Sequence, residues 1–216
     1  MDINKQYDER NMTDEYTKGS IEIGKTDEGR KFVRDEVSKL NKDSILLDVG
    51  CGSGIDLNVY KEMGFTNLYG IDPSLNFLEE AKSLLGDSVN LQEGVFQEIP
   101  FEDEKFDVVV SRFALHYCRD IFLAQKESAR ILKKGGSFIV VMANPTLDFM
   151  QEIDNDGNVT MSLFKGTVSI TYPVHTISEI FSNEFFKIFE LKKIFEYVGN
   201  EIDNNIKRIP NALCFI

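Results

Sequence analysis

Ile45-Leu46-Leu47-Asp48-Val49-Gly50-Cys51-Gly52-Ser53-Gly54 is the stretch that decides the fold. Its first five residues form a short apolar run ending in glycines, the mark of a strand buried on both faces. Gly50, Gly52 and Gly54 then allow backbone conformations closed to other residues and let a ligand approach the chain closely. A helix-like segment, 55–63, follows, so helix-start N–H groups point at whatever occupies the loop. Asp72 lies eighteen residues beyond Gly54, at the end of the next strand-like run, 67–72 (NLYGID). A carboxylate there can accept hydrogen bonds from both hydroxyls of a ribose. Loop and acid together specify a nucleoside-containing ligand in the crevice at the strands' C-terminal ends. The third glycine comes one residue too early for the dinucleotide G-x-G-x-x-G fingerprint, and no G-x-x-x-x-G-K-[ST] run is present. A loop without a pyrophosphate seat suits a ligand with an amino-acid end.

Outward from this loop the chain alternates. Before it, 27–40 (DEGRKFVRDEVSKL) carries Phe32, Val33, Val37 and Leu40 at helical spacing, with acids in the first turn and a lysine in the last. After it come a helix opening at Pro73-Ser74, spanning 75–85 and stopping at Gly86, a strand near 89–95, and a strong strand at 106–111 (FDVVVS). Asp120 caps a helix to Leu132, Lys133-Lys-Gly-Gly136 ends it, and 137–143 (SFIVVMA) is another buried strand. The expectation is an α/β fold, doubly wound, with a mostly parallel seven-stranded Rossmann-like sheet. Beyond Pro145 the rhythm breaks. Two alternating runs, 159–164 and 167–172, flank Gly166 and read as an inserted hairpin or flap. Thr176-Ile-Ser-Glu179 has capping-box form ahead of an apolar run to about Phe186. The stretches 187–198 and 209–216 can pair as an antiparallel C-terminal edge. One domain over 1–216 is expected: a polar arm or lid at 1–25, a core at 40–145, a substrate-side flap at 146–175, and a C-terminal helix with edge strands at 176–216.

Composition limits the partners. Lys and Arg number 24 against 36 Asp and Glu, a net charge of −12, which weighs against nucleic acid as substrate and points to a small molecule. No apolar run approaches a membrane span, and the opening MDINKQYDER lacks the order of a signal peptide. Cys51, Cys118 and Cys214 are odd in number and lack metal-ligand spacing, so a cytoplasmic protein without metal is expected. Oligomeric state stays open.

Several segments resemble, in order and spacing, class I S-adenosylmethionine-dependent methyltransferases, most closely the small-molecule branch. They are Asp48–Gly54, Gly70-Ile-Asp72-Pro-Ser, Ile99-Pro-Phe101, Phe106–Ser111, Ala114-Leu-His-Tyr117 and Leu132-Lys-Lys-Gly-Gly136. The likeness covers residues 40–145, and 172–216 more loosely through Tyr172-Pro-Val-His175, which resembles the lead-in to the family's last large helix. It implies S-adenosyl-L-methionine as cofactor. Asp48 would orient the loop and meet the cofactor's amino group, while Gly50, Cys51 and Gly52 would pack on its methionine and ribose. Asp72 would bind the ribose, Pro73, Val95 and Phe96 would flank the adenine, and Ser111 and Arg112 would face the methyl donor. Val95 departs from the pattern, because an acid usually stands there to accept from the adenine amino group. The backbone N–H of Phe96 can still serve a ring nitrogen, so adenine binding is expected to be weakened or reshaped, not lost.

Methyl transfer from a sulfonium is an in-line displacement, so the protein chiefly aligns donor and acceptor, with a base needed only for a protonated acceptor. His116 and His175 are the only histidines. Either can act as base; His116 reads otherwise as a structural hydrogen-bonder that lines the pocket, and His175 as a capping or packing residue. Arg112 can hold an anionic substrate group or pair with a neighbouring acid. Tyr16 is a candidate to touch the cofactor from the arm. Phe149, Phe164, Tyr172 and Phe181 can line an apolar acceptor pocket. Ser111-Arg-Phe-Ala114 lacks the Asn/Asp-Pro-Pro-aromatic run of amino-methylating nucleic-acid enzymes, and Cys118 follows tyrosine, not the proline a cytosine-C5 nucleophile needs. Glu152–Gly157 resembles a calcium loop, but Leu163 stands where its closing glutamate is required. Methyl transfer to O or N of a small acceptor is therefore expected. A non-catalytic S-adenosylmethionine-binding partner or sensor subunit is the alternative, and a nicotinamide oxidoreductase is disfavoured by the glycine spacing.

Overall fold

The computed structural model describes residues 10–24, 27–197 and 212–216. Expectations for 1–9, 25 and 198–211 lie outside the described residues. Five parallel strands form the body of the sheet: β1 (Ile45–Val49), β2 (Asn67–Asp72), β3 (Asn90–Glu93), β4 (Phe106–Arg112) and β5 (Leu132–Ala143). β8 (Ile194–Tyr197) and β9 (Ala212–Phe215) complete it in the order β3-β2-β1-β4-β5-β9-β8, with β9 antiparallel to both neighbours. The chain leaves one edge at β3 and re-enters on the far side of β1 at β4. This reversal opens a crevice beyond the strand ends, where Val49 is level with Ile71 and Asp48 with Val110.

Alternation along each strand sorts side chains to two faces. Leu46, Val108, Val110, Ile139 and Val141 face α2 (Glu28–Val37), α3 (Ile55–Glu62) and α4 (Leu75–Leu85), meeting Phe32, Val33, Leu57, Tyr60 and Ala81. Leu47, Val49, Val109 and Val140 face α5 (Ile121–Ile131), meeting Leu115, Ala124 and Ile131. Each such side chain removed from water contributes roughly 1.5–3 kcal/mol, which is why these continuous runs fold as central strands. Caps fix where the helices start. The side chains of Asp27, Ser74 and Asp120 accept the N–H of Arg30, Phe77 and Leu123.

Three features differ from the sequence expectation. Within the arm, Arg10–Ile23 is a helix, α1. Its packed face consists of Thr13, Tyr16, Gly19 and Ser20, so helical spacing is present in small and polar residues that an apolar count passes over. Lys133-Lys-Gly-Gly136 does not separate helix from strand. β5 starts at Leu132, and its register on β4 shifts between Phe106 and Val108 to absorb these residues. The run after Thr176 is not one helix but two single turns, α7 (Ile177–Ile180) and α8 (Phe185–Ile188). The Thr176–Glu179 capping box forms, but Phe181 leaves the helical region and the Ser182 hydroxyl accepts the Phe185 N–H 3.1 Å away, starting the second turn. After β5 come a short turn, α6 (Pro145–Asp148), and the hairpin of β6 (Asn158–Leu163) with β7 (Val168–Pro173). The hairpin forms its own two-stranded sheet and packs on α1 and the Leu115–Tyr117 turn through Met12, Tyr16 and Tyr117.

Candidate active site

A cleft lies over the C-terminal ends of β1, β2 and β4. Its floor is the glycine loop. Gly50 and Gly52 have φ of +77° and +51°, and a Cβ on Gly50 would come 2.2 Å from that of Ala114. The loop is tied back to β2, with the N–H groups of Gly50 and Cys51 both donating to the Ile71 carbonyl, at 2.8 and 3.0 Å. Asp72 accepts the Gly52 N–H on one carboxylate oxygen (2.8 Å) and the Ser74 N–H on the other (2.9 Å). Each oxygen keeps a lone pair for a ligand hydroxyl. Pro73, Gly94, Val95, Phe96 and Gln97 form one wall, Arg112, Phe113, Ala114, Tyr117 and Cys118 the opposite one, and Tyr16 and Ser20 of α1 reach in from above.

The floor is acidic. Asp48, Asp56 and Asp72 line it, all buried. Burial pushes the Asp56 carboxyl up, but the guanidiniums of Arg112 and Arg30 outweigh this and hold it below the usual carboxylate range. The Nε atoms of Arg30 and Arg112 each stand 2.7 Å from a separate Asp56 oxygen. Asp48 has no such ion pair among the described residues; burial, then the nearby Asp56 charge, pushes it up to about 8, against the more distant charges of Arg112 and Arg30. Burial pushes Asp72 up to about 6 against its two backbone donors. A positively charged ligand beside Asp48 would supply the missing partner.

The structure brings Tyr16, Asp48, Gly50, Cys51, Gly52, Asp72, Pro73, Val95, Phe96 and Arg112 of the expected site together around this cleft. Four expected residues lie off it. Ser111 shares its face of β4 with Val109, is fully buried, and its hydroxyl has no partner among the described residues. His116 is buried behind the wall, packed against the rings of Tyr117 and Tyr172 at 4.4 and 4.6 Å. Burial, reinforced by His175, lowers its imidazole to about 3, so it is a poor base near neutrality. His175 engages the His116 carbonyl through Nε2 at 3.2 Å, and that bond makes Nε2 the protonated nitrogen. The Tyr172 hydroxyl donates to Asp148, 2.9 Å away. Of the four aromatic candidates for an acceptor pocket none lines the cleft: Phe149 is exposed, Phe164 packs on Tyr16, and Phe181 packs on Phe185 and Phe215.

Sequence reasoning also passed over Asp56, Phe77, Gln97, Phe113 and Tyr117 as lining residues. Asp56 was findable, because an acid in the first turn after a glycine loop has its side chain at the ligand. Phe113 was not. It sits at φ +54° just after β4, a conformation bulky residues seldom adopt and one that no local signal announces.

Comparison with known proteins agrees with this geometry. Residues 47–140 match the family model of the methyltransferase domain. A demethylmenaquinone methyltransferase of Staphylococcus aureus is 33% identical over 156 residues, 70% of this chain and 61% of the relative. An uncharacterized methyltransferase of Bacillus subtilis is 31% identical over 100 residues, 44% of this chain and 39% of the relative. The chain thus spans less than two thirds of the length of either. Among solved structures, an S-adenosylmethionine-dependent methyltransferase from Listeria monocytogenes aligns with TM-score 0.68 and 22% identity, over 87% of this chain and 95% of that one. The methyltransferase in complex with the Trm112 activator of Haloferax volcanii aligns with TM-score 0.66 and 18% identity, over 94% and 95%. At such identities the structural likeness is one of fold. Residues 47–140, which hold the glycine loop and Asp72, are thus similar in sequence to the methyltransferase domain, and the fold is similar to that of the solved methyltransferases.

Proposed function

We propose that the protein is an S-adenosylmethionine-dependent methyltransferase acting at oxygen or nitrogen of a small organic acceptor. The observation that carries this reading is one cleft holding both a ribose-competent carboxylate, Asp72 on the Gly52 N–H, and a buried acid, Asp48, with no ion-pair partner among the described residues. The residues fit the cofactor. Gly52 opens on empty space, where a Cβ would meet nothing within 4 Å, so a ligand can lie against the backbone there. Asp48 suits a cationic end. When bound, S-adenosylmethionine supplies the electrophilic methyl group.

In this reading Asp72 holds the ribose hydroxyls, Gly50, Cys51 and Gly52 back the methionine portion, and Pro73, Val95 and Phe96 bracket the adenine. Tyr16 covers the cleft from above and helps exclude water. The acceptor enters beside Tyr117 and Cys118. Arg112 has its Nε committed to Asp56 and can meet an anionic acceptor only with the remainder of its fork. Alignment of donor and acceptor is the protein's main contribution. His116, walled off and weakly basic, is given no proton to carry.

The name of the Staphylococcus aureus relative supports a small-molecule acceptor. A cytoplasmic location fits three free, buried cysteines and the fact that no helix among the described residues is long and apolar enough to cross a membrane. One observation favours a second reading, a non-catalytic S-adenosylmethionine-binding subunit: both histidines stand off the cleft. Calorimetric titration with S-adenosylmethionine, S-adenosylhomocysteine and NADH, followed by transfer of a labelled methyl group across an acceptor panel, tests both. Binding of the adenosyl ligands with turnover supports the enzyme. Binding without turnover on any acceptor favours the subunit, and no binding to folded protein removes both.

A further inference from the structure

Helix α1 covers the cleft with Tyr16 and Ser20, yet much of its attachment is peripheral. Tyr16 packs edge-on against Phe77 and Phe164, Thr17 donates to Glu80, and Arg10 pairs with Glu79 at an exposed site. A buried polar anchor lies at its C-terminal end. Arg30, buried in α2, donates from Nη1 to the Ser20 carbonyl and from Nη2 to the Ser20 hydroxyl, both at 3.2 Å. Its Nε stands 2.7 Å from Asp56 in the first turn of α3, whose other oxygen holds Arg112. A guanidinium on the last carbonyls of a helix also complements the helix dipole. One side chain therefore joins the covering helix to the floor of the cleft. Gly24 makes room for it: a Cβ there would fall 1.7 Å from Nη1, a tip held in place by its hydrogen bonds to Ser20 and by the ion pair of the same guanidinium with Asp56.

We propose that Arg30 is a positioning residue that latches α1 over the cleft, so that holding the cofactor and docking the helix are coupled through Ser20–Arg30–Asp56–Arg112. Arg30 does not line the cleft; it acts through Ser20 and Asp56. Lysine cannot replace it, because one ammonium on a flexible stem does not span Asp56 and both Ser20 acceptors as the planar fork does. The ligand half of the coupling rests on S-adenosylmethionine occupying the cleft; the latch itself does not.

The test is limited trypsin digestion of the full chain with and without S-adenosylhomocysteine, following cleavage after Lys18 on α1 against cleavage after Lys187, both exposed. Arg30→Gln, Arg30→Lys and Gly24→Ala, each checked for wild-type circular dichroism, are compared with the parent protein. The latch predicts that in the absence of ligand all three are cut after Lys18 at least about tenfold faster, with Lys187 unchanged, and that their dissociation constants for S-adenosylhomocysteine rise about tenfold. Gly24→Ala removes no charge and must still behave like Arg30→Gln. Wild-type cleavage at Lys18 in folded Arg30→Gln overturns the latch, as does equal acceleration at Lys187 or full rescue by lysine. If the parent binds no S-adenosylhomocysteine, the cofactor reading falls, while the ligand-free digestion still decides the latch.

Discussion

Asp72 and Asp48, near the ends of β2 and β1, put one residue type in two electrostatic settings of one cleft. Asp72 is fixed by two backbone donors, so its geometry exists before any ligand arrives. Truncating it to alanine removes charge-assisted hydrogen bonds and should weaken S-adenosylhomocysteine binding by about 1–3 kcal/mol. Calorimetry on folded Asp72→Ala measures this, and unchanged affinity would mean that the ribose lies elsewhere. For Asp48 the sign follows from its raised value of about 8. At pH 7 the free protein carries it mostly protonated, and a cationic ligand favours the ionised form. Binding of S-adenosylmethionine should therefore release up to about one proton at pH 7, and affinity should climb as pH rises towards 8, then level. Calorimetry in two buffers of different ionisation enthalpy counts that proton; the same heat in both would sink the assignment, and Asp48→Asn should abolish the difference. Both residues were legible in the sequence because loop spacing and strand ends are local. Ser111 and His116 were not. One step along β4 sends Ser111 to the face opposite Arg112, and His116 is set behind Tyr117 by a hairpin some fifty residues downstream that no local pattern registers.

At the scale of elements, continuous apolar runs and capping side chains made the core strands and helices readable, whereas α1 and the segment after Thr176 were misread. In α1 the packing residues are Thr13, Gly19 and Ser20, useful because close approach there depends on small size: a Cβ on Gly19 would come 2.3 Å from the Phe164 ring. After Thr176, a cluster of Phe181, Phe185 and Phe215 outweighs helix propensity and breaks the run into two turns. The hairpin gives a measurable consequence. It buries His116 neutral and lowers its pKa from the ordinary value to about 3. The unfolded chain takes up a proton below about pH 6.5, and the folded protein does not until about 3, so this group stabilises less and less as pH falls through that window. His116→Phe keeps a ring against Tyr117 and Tyr172 while deleting the titration. Between pH 7 and 5 the wild type should lose about 1–2 kcal/mol relative to the variant in urea unfolding, at up to about 1.4 kcal/mol per pH unit. Parallel pH profiles for the two proteins would show that the imidazole is not held neutral.

For the molecule as a whole, charge decides which acceptors can approach. The net charge is −12, a count that already includes the three buried acids of the cleft. Among the described residues, the guanidiniums of Arg30 and Arg112 are both drawn onto Asp56, which leaves them little charge to offer a phosphodiester. Binding of duplex DNA or folded RNA draws its free energy chiefly from cations that displace condensed counterions, and its affinity falls steeply as salt is added. A chain with this balance must oppose such an encounter at low salt, where unscreened repulsion is strongest. S-adenosylmethionine, carrying a sulfonium, is drawn by the same field. Fluorescence anisotropy with a labelled duplex and a labelled transfer RNA, at low and physiological salt, should therefore show no saturable binding up to tens of micromolar, on the order of the non-specific affinities that basic proteins reach. In the same buffers S-adenosylmethionine should bind, and more tightly at low salt. Saturable nucleic-acid binding that weakens on adding salt would reveal a basic surface contributed from outside the described residues, and would move the acceptor from small molecules to nucleic acid.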